Sequence, residues 1–589
     1  MAVTDVVTID NLSAKLPQWR PDAASHLYAI VDMGSNGVRF SITSLAPPLS
    51  RLLSPLFSTR AGISLFDALT PSPDGGGGGL VFPEQIVADV AAAVASFHRV
   101  AAAHGVPQSQ VRIFATEAMR RADNAGDVLD AIRAATGGLG VQVLAPEVET
   151  LCGAVMGTRS SLVGVPGGAL FLDLGGGSVQ MTWVDTATPD YMFRAATAGS
   201  SMPYGAAKLI RILEQQSVET QQSEIGTLQT GMKSVYDNLC AQFPRLMAIR
   251  DAHERGEHAT VDVYMCGGGF RGYGTMLMHD DDIKPYPIPS ISTYTVDGAK
   301  FKETQRMLNI NAEHTGKIYG LSKRRRRQFP AIVHVVEAFI AAVPNIGRVT
   351  FSGGSNRQGA LQMVLPPEIR ESNPLEVLAN IDPVDRPILD AGLELLLSSL
   401  PDPSIVSKMP TILAPGLGYL FIKELWTRAG HEADTNASIA LHTSIIRDPG
   451  SPGLTHLSRA LLGIALATRW GSFLSPADAQ LEQGLIAIIR RHGSETLFWN
   501  RYLGAVAGAI AEILPFSPAS VDELKRAVEF KAEIVQKEDC RVVKLTIGIA
   551  GDYARRLDEE ALIGNIKAAT KNKEEGGPKK VIVTILKRA

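Results

Sequence analysis

The opening residues carry no regular hydrophobic pattern, and clear order begins at Leu27. Residues 1–26 alternate without a period and include two prolines, which predicts a flexible arm. Residues 27–45 read LYAIVDMGSNGVRFSITSL, in which an apolar run, a Gly/Ser/Asn turn and a second apolar alternation follow one another. This pattern predicts a β-hairpin. The glycine stretch at residues 74–79 predicts a flexible loop that low complexity explains without a function.

The hairpin pattern occurs again at residues 169–184, which read ALFLDLGGGSVQMTWV. In both copies an apolar strand ends in Asp-x-Gly, a turn follows, and alternating apolar residues begin the next strand. Asp32 aligns with Asp173, and Val38 aligns with Val179. A unit that repeats in the same frame predicts a duplicated α/β domain with a cleft between the copies.

After Pro374 the pattern changes to Leu/Ala helical periodicity, which continues to about residue 535. Two β-like stretches, residues 541–551 and 579–589, close the chain. We therefore predict an arm (1–26), a first α/β domain (27–155), a second α/β domain (156–375) and a mainly helical domain that ends in a strand pair (376–589).

Composition narrows the classes of function. Lys plus Arg (57) nearly balances Asp plus Glu (60), so neither a nucleic-acid binder nor an acidic-membrane binder is expected. The N-terminus lacks the pattern of a secretory signal, and no apolar stretch reads as a membrane span. The cysteines form no CxxC pair, which argues against a zinc site or a disulfide framework and favours a cytoplasmic protein; they are Cys152, Cys240, Cys266 and Cys540.

The two Asp-Gly hairpins are the strongest candidates for chemistry. A glycine-rich turn lets backbone N–H groups approach an anion, and an Asp at the end of the strand can hold Mg2+ or its waters. One such hairpin is most simply an ordinary turn, but two in the same frame favour a paired phosphate clamp. Arg39 and Arg120 are the side chains placed to fork onto phosphate oxygens, although each could equally be a solvated surface residue.

Three motifs resemble those of the exopolyphosphatase/guanosine-pentaphosphate phosphatase (Ppx/GppA) family. They are DMGSNGVR at 32–39, ATEAMRRADN at 115–124 and DLGGGS at 173–178, in the family's order. The resemblance covers about residues 27–370, and the segments GLSKRRRRQFP, GGGFRGYG and SGGSNRQG are similar to a fungal branch of retrograde regulators. It implies duplicated actin-like ATPase (RNase H-like) domains around a cleft, with a helical C-terminal domain that is a relic of an HD-like fold.

The resemblance also implies roles for residues. Asp32 and Asp173 would bind Mg2+, and Glu149 would activate a water molecule. Gln180 stands where the family's hydrolases have a Glu, and an amide cannot act as a base. The candidate site residues are catalytic Glu149, Asp173 and Gln180, phosphate-binding Gly34, Ser35, Asn36, Arg39, Arg120, Gly175, Gly176, Gly177 and Ser178, and metal-binding Asp32 and Asp173.

Three charged segments have simpler interpretations. The run Lys323–Arg327 is predicted to be a solvated helix start, in preference to a rim for a polyanion or a nuclear signal. Residues 279–282 (HDDD) are predicted to be a solvated acidic loop rather than a metal site. Residues 431–434 (HEAD) lack the contiguous His-Asp pair of metal-dependent HD enzymes, so the C-terminal domain is expected to be structural or to bind partners.

Three functions remain open. The first is Mg2+-dependent hydrolysis of a terminal phosphoanhydride in polyphosphate, guanosine pentaphosphate or a nucleoside triphosphate. The second, implied by the fungal branch, is a nucleotide-sensing regulator of mitochondria-to-nucleus signalling that acts through protein partners. A kinase of the same superfamily ranks last, because no catalytic Asp or adenosine signature can be placed. By analogy alone, the family implies a homodimer.

Overall fold

The computed structural model describes residues 5–72, 79–427, 433–447, 450–537, 540–571 and 577–588. Most of the predicted glycine loop (74–78), together with residues 431 and 432, lies outside these ranges. The chain forms two compact units. The first is Met1–Asp280 with Ser290–Ser372, and the second is Asp281–Pro289 with Asn373–Ala589.

The first unit contains two six-stranded sheets in which five strands follow the same order and the sixth, an edge strand, differs: β1 (Asp5–Val7) runs parallel to its neighbour and β13 (Thr295–Asp297) antiparallel. In lobe I (residues 5–145) the strand order is β1-β8-β7-β2-β3-β4, where β2 and β3 form the first predicted hairpin and β7 and β8 add in parallel. Strands β5 and β6 form a separate small pair. The strands are β1 (Asp5–Val7), β2 (Leu27–Gly34), β3 (Gly37–Ser44), β4 (Ser54–Ala61), β5 (Thr70–Pro71), β6 (Leu80–Val81), β7 (Val111–Ala115) and β8 (Val141–Leu144).

Lobe II (residues 169–351) has the order β11-β10-β9-β12-β14-β13, in which all strands but the edge strand β13 repeat the arrangement of lobe I. The second predicted hairpin is β9–β10, and β12 and β14 add in parallel as β7 and β8 do in lobe I. The predicted duplication is therefore present in the backbone. The strands are β9 (Ala169–Leu174), β10 (Val179–Val184), β11 (Ser200–Met202), β12 (Val261–Cys266), β13 (Thr295–Asp297) and β14 (Ile346–Phe351).

Helices cover both sheets, and a continuous helical segment joins the lobes. That segment is α6 (Pro146–Glu149) followed by a π-helix (Thr150–Gly157), an arrangement often found at functional sites. The other helices of the lobes are α1 (Leu12–Lys15), α2 (Leu65–Ala68), α3 (Glu84–Ala103), α4 (Glu117–Arg121), α5 (Ala125–Thr136), α7 (Tyr191–Ala198), α8 (Ala206–Gln215), α9 (Val218–Gln242), α10 (Pro244–Glu254), α11 (Gly267–His279), α12 (Gly298–Phe301), α13 (Thr304–Glu313), α14 (Lys323–Arg327), α15 (Phe329–Ala342), α16 (Asn356–Val364) and α17 (Pro367–Arg370), with short 3-10 turns at Ser50–Leu52 and Gln108–Gln110.

The prediction of a flexible arm at residues 1–26 is wrong for the part of it that the structure describes. Strand β1 pairs in parallel with β8 and forms an edge of the lobe I sheet. The segment is anchored because Val7, Leu12 and Leu16 are buried and the Trp19 indole donates to the carbonyl of Leu45 at 2.9 Å. The anchoring residues are spaced irregularly, so the sequence shows no hydrophobic period that would have predicted a strand or helix here.

One helix among the described residues, α3, is long and apolar enough to cross a membrane. Its side chains Val90, Val94 and Phe97 are buried in the core of lobe I, where α3 packs on the sheet beside α5. A core helix of a soluble protein passes the same test of length and composition.

The second unit is mainly helical, as predicted, and ends in a sheet. The predicted terminal strand pair is instead three-stranded, because residues 528–537 continue as a strand antiparallel to β16, while β17 runs parallel to β16. Its elements are α18 (Pro374–Ala379), α19 (Arg386–Ser398), α20 (Ile405–Lys408), α21 (Leu417–Leu425), α22 (Ala433–Ile446), α23 (His456–Arg469), α24 (Pro476–Arg490), α25 (Ser494–Ile513), α26 (Val521–Ala527), β15 (Val528–Lys537), β16 (Cys540–Ala550), α27 (Gly551–Ala554), α28 (Glu559–Ala569) and β17 (Lys580–Arg588).

Candidate functional site

The two predicted phosphate loops meet in one cavity between the lobes. Asp32 and Asp173 stand near the ends of β2 and β9, the strands that begin the two repeated hairpins. Every candidate site residue except Arg120 lines this cavity. The cavity lining is Asp32, Gly34, Ser35, Asn36, Gly37, Arg39, Thr116, Glu149, Asp173, Gly175, Gly176, Gly177, Ser178, Gln180, Gly267, Gly268, Arg271, Arg325, Ser355 and Asn356.

The loops touch each other closely, which explains their glycines. A Cβ at Gly176 would lie 2.7 Å from the Asn36 amide nitrogen, and one at Gly177 would lie 1.6 Å from a carboxylate oxygen of Glu117 in lobe I. The carbonyls of the Gly175–Gly177 turn accept hydrogen bonds from amides at the start of α8, so the turn is braced by lobe II. A larger side chain at either glycine would push the lobes apart.

Asp32 is buried and Asp173 is half-buried, and the two carboxylates suit a hard cation. Burial raises the pKa of Asp32, opposed by Arg357 and Arg39, and burial raises that of Asp173, opposed chiefly by Arg271. Among the described residues, Oδ1 of Asp32 has no hydrogen-bond partner. No group of three His, Cys, Asp or Glu side chains in the described ranges is arranged to hold a metal. Mg2+ is commonly bound by one or two carboxylates plus phosphate oxygens and waters, so these donors fit it.

Glu149 lies at the junction of α6 and the π-helix, with 9% of its surface exposed. The pKa of Glu149 is raised to about 7, chiefly by burial, against the lowering effect of Arg120 and with smaller contributions from the charges of Asp173 and Glu117. A carboxyl group with a pKa near neutrality is suited to accept a proton at neutral pH. The role of Glu149 as a base stays a prediction.

Arg120 donates hydrogen bonds to the Glu149 carboxylate and to a backbone carbonyl, and was predicted instead to bind phosphate. Its Nη2 donates to Glu149 Oε2 at 2.9 Å, and its Nη1 donates to the carbonyl of Leu144. Both ends of the guanidinium are occupied within the protein. Arg120 therefore orients Glu149, and the structure does not support the predicted direct phosphate clamp.

Gln180 is buried, with 2% exposure, and its amide nitrogen is committed to neighbouring serines. Nε2 donates to Ser178 Oγ at 2.8 Å and to Ser201 Oγ at 3.0 Å. With both amide protons used, the polar atom that Gln180 retains is its oxygen, which can accept a hydrogen bond from water but cannot remove a proton.

Two cavity arginines were not among the predicted site residues. Arg271 donates to the carbonyl of Gly354 at 2.8 Å, and Arg325 lies across the glycines of α11, since a Cβ at Gly268 would meet its Nη2 at 2.3 Å. Burial, together with the smaller effects of the Arg271 and Arg39 charges, lowers the pKa of Arg325 to about 9. Half-buried cations crowded in this way favour the binding of an anion. The sequence feature that could have indicated the position of Arg325 is the segment GGGFRGYG, because Gly268 and Gly272 leave one face of the helix without side chains.

The arginine run is a helix, as predicted, but it is solvated only in part, since Lys323 and Arg327 are exposed and residues 324–326 are half-buried. Arg325 faces the cavity, and Arg324 bonds to lobe I at Asn36. Arg326 donates to the carbonyls of the preceding loop, and Arg327 pairs with Glu214 of lobe II. The four consecutive arginine side chains therefore have four different sets of partners, which the sequence, a run of like charges, does not indicate.

The SGGSNRQG segment also contributes to the site. The amide oxygen of Asn356, which starts α16, is buried without a hydrogen-bond partner in the described structure. Arg357 exerts the largest charge effect on Asp32. Burial lowers the pKa of Arg357 to about 10. The sequence had offered this segment only as a sign of resemblance.

The prediction of a solvated loop at HDDD holds for the exposed His279 and Asp282 but is wrong for the two residues between them. Asp280 is 7% exposed and pairs with Arg306 and Lys300, whose nearest atoms lie 2.6 Å and 3.1 Å from it. Asp281 is 4% exposed and pairs with Arg491 of the second unit, to which both belong. The segment holds structural ion pairs, since the cations come from distant parts of the chain.

These features define a Ppx/GppA protein. The model of the Ppx/GppA phosphatase family matches residues 47–368, and that of the RTG2 C-terminal domain matches residues 373–585. The chain belongs to the Ppx/GppA family, which confirms the resemblance read from its motifs. The HD-like origin of its C-terminal domain stays a prediction.

Among individual proteins, the chain is similar to retrograde regulation protein 2 of Saccharomyces cerevisiae, with 32% identity over 506 residues that cover 83% of this chain and 81% of the relative. A solved Ppx/GppA family member from Aquifex aeolicus is 19% identical with a TM-score of 0.42, covering 57% of this chain and 96% of that one. An exopolyphosphatase from Cytophaga hutchinsonii is 18% identical with a TM-score of 0.41, covering 57% and 97% respectively.

Proposed function

We propose that the cavity binds a condensed phosphate with Mg2+ and hydrolyses its terminal phosphoanhydride bond. The observation that carries the proposal is Glu149, a buried carboxyl with a pKa of about 7, beside an aspartate pair in a cavity lined by arginines. Its candidate substrates are polyphosphate, guanosine pentaphosphate and a nucleoside triphosphate.

The reaction is a displacement at the terminal phosphorus by water. Glu149, held by Arg120, accepts a proton as the water oxygen forms its bond to phosphorus. The bridging P–O bond breaks, and its electron pair stays on the leaving phosphate. Mg2+ bound at Asp32 and Asp173 would neutralise phosphate charge.

Arg39, Arg271 and Arg325 face the same cavity and supply fixed positive charge to the phosphoryl oxygens. The glycine loops add backbone N–H groups that can donate to phosphate oxygens where the two hairpins meet. Because every residue that lines the cavity is buried or half-buried, these charges act in a medium less polar than water, where electrostatic stabilisation is stronger.

Phosphate release by the purified protein tests the proposal. With Mg2+ present, one of the three substrates should be hydrolysed at about 1 s⁻¹ or faster, an ordinary enzyme rate. Glu149→Gln should abolish release, whereas Glu147→Gln, a less buried glutamate two residues earlier, should not. Equal release by wild type and Glu149→Gln would contradict the assignment of the base.

A second function is favoured by Gln180. Its amide replaces a carboxylate and is fixed by Ser178 and Ser201, so the cavity has one acidic group fewer for metal or proton transfer. Together with the similarity to a protein named for retrograde regulation, this supports a nucleotide sensor that acts through partners. Such a sensor would bind ATP with negligible phosphate release and would capture a partner in an ATP-dependent way that Asp32→Ala removes. Capture that ignores both ATP and Asp32→Ala would count against it.

A further inference from the structure

Arg324 of α14 crosses from lobe II to lobe I. Its Nη2 lies 2.8 Å from Asn36 Oδ1, 2.7 Å from Ser64 Oγ and 2.9 Å from Asp67 Oδ2. Its Nη1 lies 3.3 Å from the carbonyl oxygen of Asn36. One guanidinium thus joins a phosphate loop of lobe I to the corner formed by Ser64 and α2.

That corner is continuous with the phosphate loop. The amide of Phe66 and the hydroxyl of Ser64 both donate to the carbonyl of Ser35, at 3.0 Å and 3.1 Å. A second lobe II side chain, Arg211, donates to the carbonyl of Asp67 at 3.3 Å and lies 5.9 Å from the Phe66 ring. Two side chains of lobe II therefore bind the segment of lobe I that supports Ser35 and Asn36.

The next residue of the same helix, Arg325, faces the cavity. Since α14 has only five residues, its cavity side and its lobe I side move together. We propose that Arg324 and Asp67 form an interlobe clasp that holds the cavity closed around its anion and positions Asn36. The clasp goes beyond the proposed hydrolysis, because a non-hydrolysing sensor would use it equally.

The clasp is a partly exposed contact, so we expect its contribution to anion binding to be modest. The side chains of Arg324 and Asp67 are 37% and 52% exposed, so salt screens the pair. An isolated pair of this kind contributes little, but here one cation meets four acceptors in a single geometry. We expect the loss of the clasp to weaken anion binding about fivefold.

A distance measurement between the lobes tests the clasp. Spin labels are placed at Leu56→Cys in lobe I and Val218→Cys in lobe II, which are 54% and 61% exposed, in a Cys540→Ser background. The distance is measured with and without Mg2+ and tripolyphosphate, whose affinity is measured by calorimetry. Cys152, Cys240 and Cys266 are buried and can be kept.

Arg324→Ala should lengthen or broaden the distance and weaken tripolyphosphate binding about fivefold. Asp67→Ala should act in the same direction, and the double variant should be no worse than Arg324→Ala. Arg324→Lys should restore part of the affinity. Arg327→Ala is the matched control, because Arg327 pairs with Glu214 inside lobe II. A wild-type distance distribution in both single variants, additive losses in the double variant, or an equal effect of Arg327→Ala would overturn the clasp. None of these results depends on phosphate release, so the clasp and the hydrolysis can fail separately.

Discussion

Replacing Glu149 by Gln should change how stability depends on pH. The ordinary pKa of this carboxyl is 4.5, and burial in the folded protein raises it to about 7. At pH values between these two, Glu149 is ionised in the unfolded chain but protonated in the folded one. Its contribution to stability is therefore complete below about pH 4.5 and is lost as the pH rises to about 7.

The magnitude follows from the shift. At about 1.4 kcal/mol per pKa unit, a shift from 4.5 to about 7 corresponds to about 3 kcal/mol, which already includes the attraction of Arg120 at 2.9 Å. Between about pH 5 and about pH 8, roughly 2.5 kcal/mol of this is lost from the wild type. A glutamine does not titrate, so the stability of the variant does not undergo this loss as the pH rises.

Urea denaturation of wild type and Glu149→Gln at both pH values measures this effect, because subtracting the two proteins removes the contribution of other groups. The free energy of unfolding of the variant, relative to wild type, should rise by about 2 to 3 kcal/mol from about pH 5 to about pH 8. A difference that does not change with pH would refute the reasoning that Glu149 is protonated near neutrality. Glu147→Gln provides the control for loss of a glutamate at this helix.

Three further predictions concern the same site. If Glu149 is the base, phosphate release by wild type should increase as the pH rises through about 7, because only the ionised carboxylate accepts a proton; a flat pH profile would exclude this role. Gly267→Ala should destabilise the protein by at least about 1 kcal/mol in thermal melting, because Gly267 has φ +83° and a Cβ would lie 2.0 Å from Asp173 Oδ1. Unchanged melting would contradict that close approach. Glu117→Gln should raise stability above neutral pH, since burial raises the pKa of Glu117 more than Arg121, 3.6 Å away, lowers it, and its oxygens beside Gly177 lack hydrogen-bond partners among the described residues; a variant less stable than wild type above neutral pH would refute it.

The sequence predicted the parts of the site that repeat. The Asp32 and Asp173 hairpins were visible because strand alternation, an Asp and a glycine turn occur at fixed spacing in both copies. In the structure both aspartates line one cavity between the two lobes. Local pattern and topology together were sufficient there.

The sequence could not assign side chains whose partners are far away. Arg120 pairs with Glu149, 29 positions later, and Arg325 reaches the cavity only because the glycine face of α11 receives it. Neither contact leaves a periodic trace. Burial of Asp280 and Asp281 was missed for the same reason, since the compensating cations are Arg306 and Arg491.

The most direct test of the account is calorimetric titration of the purified protein with tripolyphosphate in the presence of Mg2+. Wild type should bind one equivalent, and Arg325→Gln should bind about tenfold to a hundredfold more weakly, because a charge-assisted contact inside the cavity is lost. Arg327→Gln, which removes the same charge from the outer side of the helix, should bind as wild type does. No binding by wild type, or equal binding by the two variants, would contradict the claim that this cavity is a condensed-phosphate site.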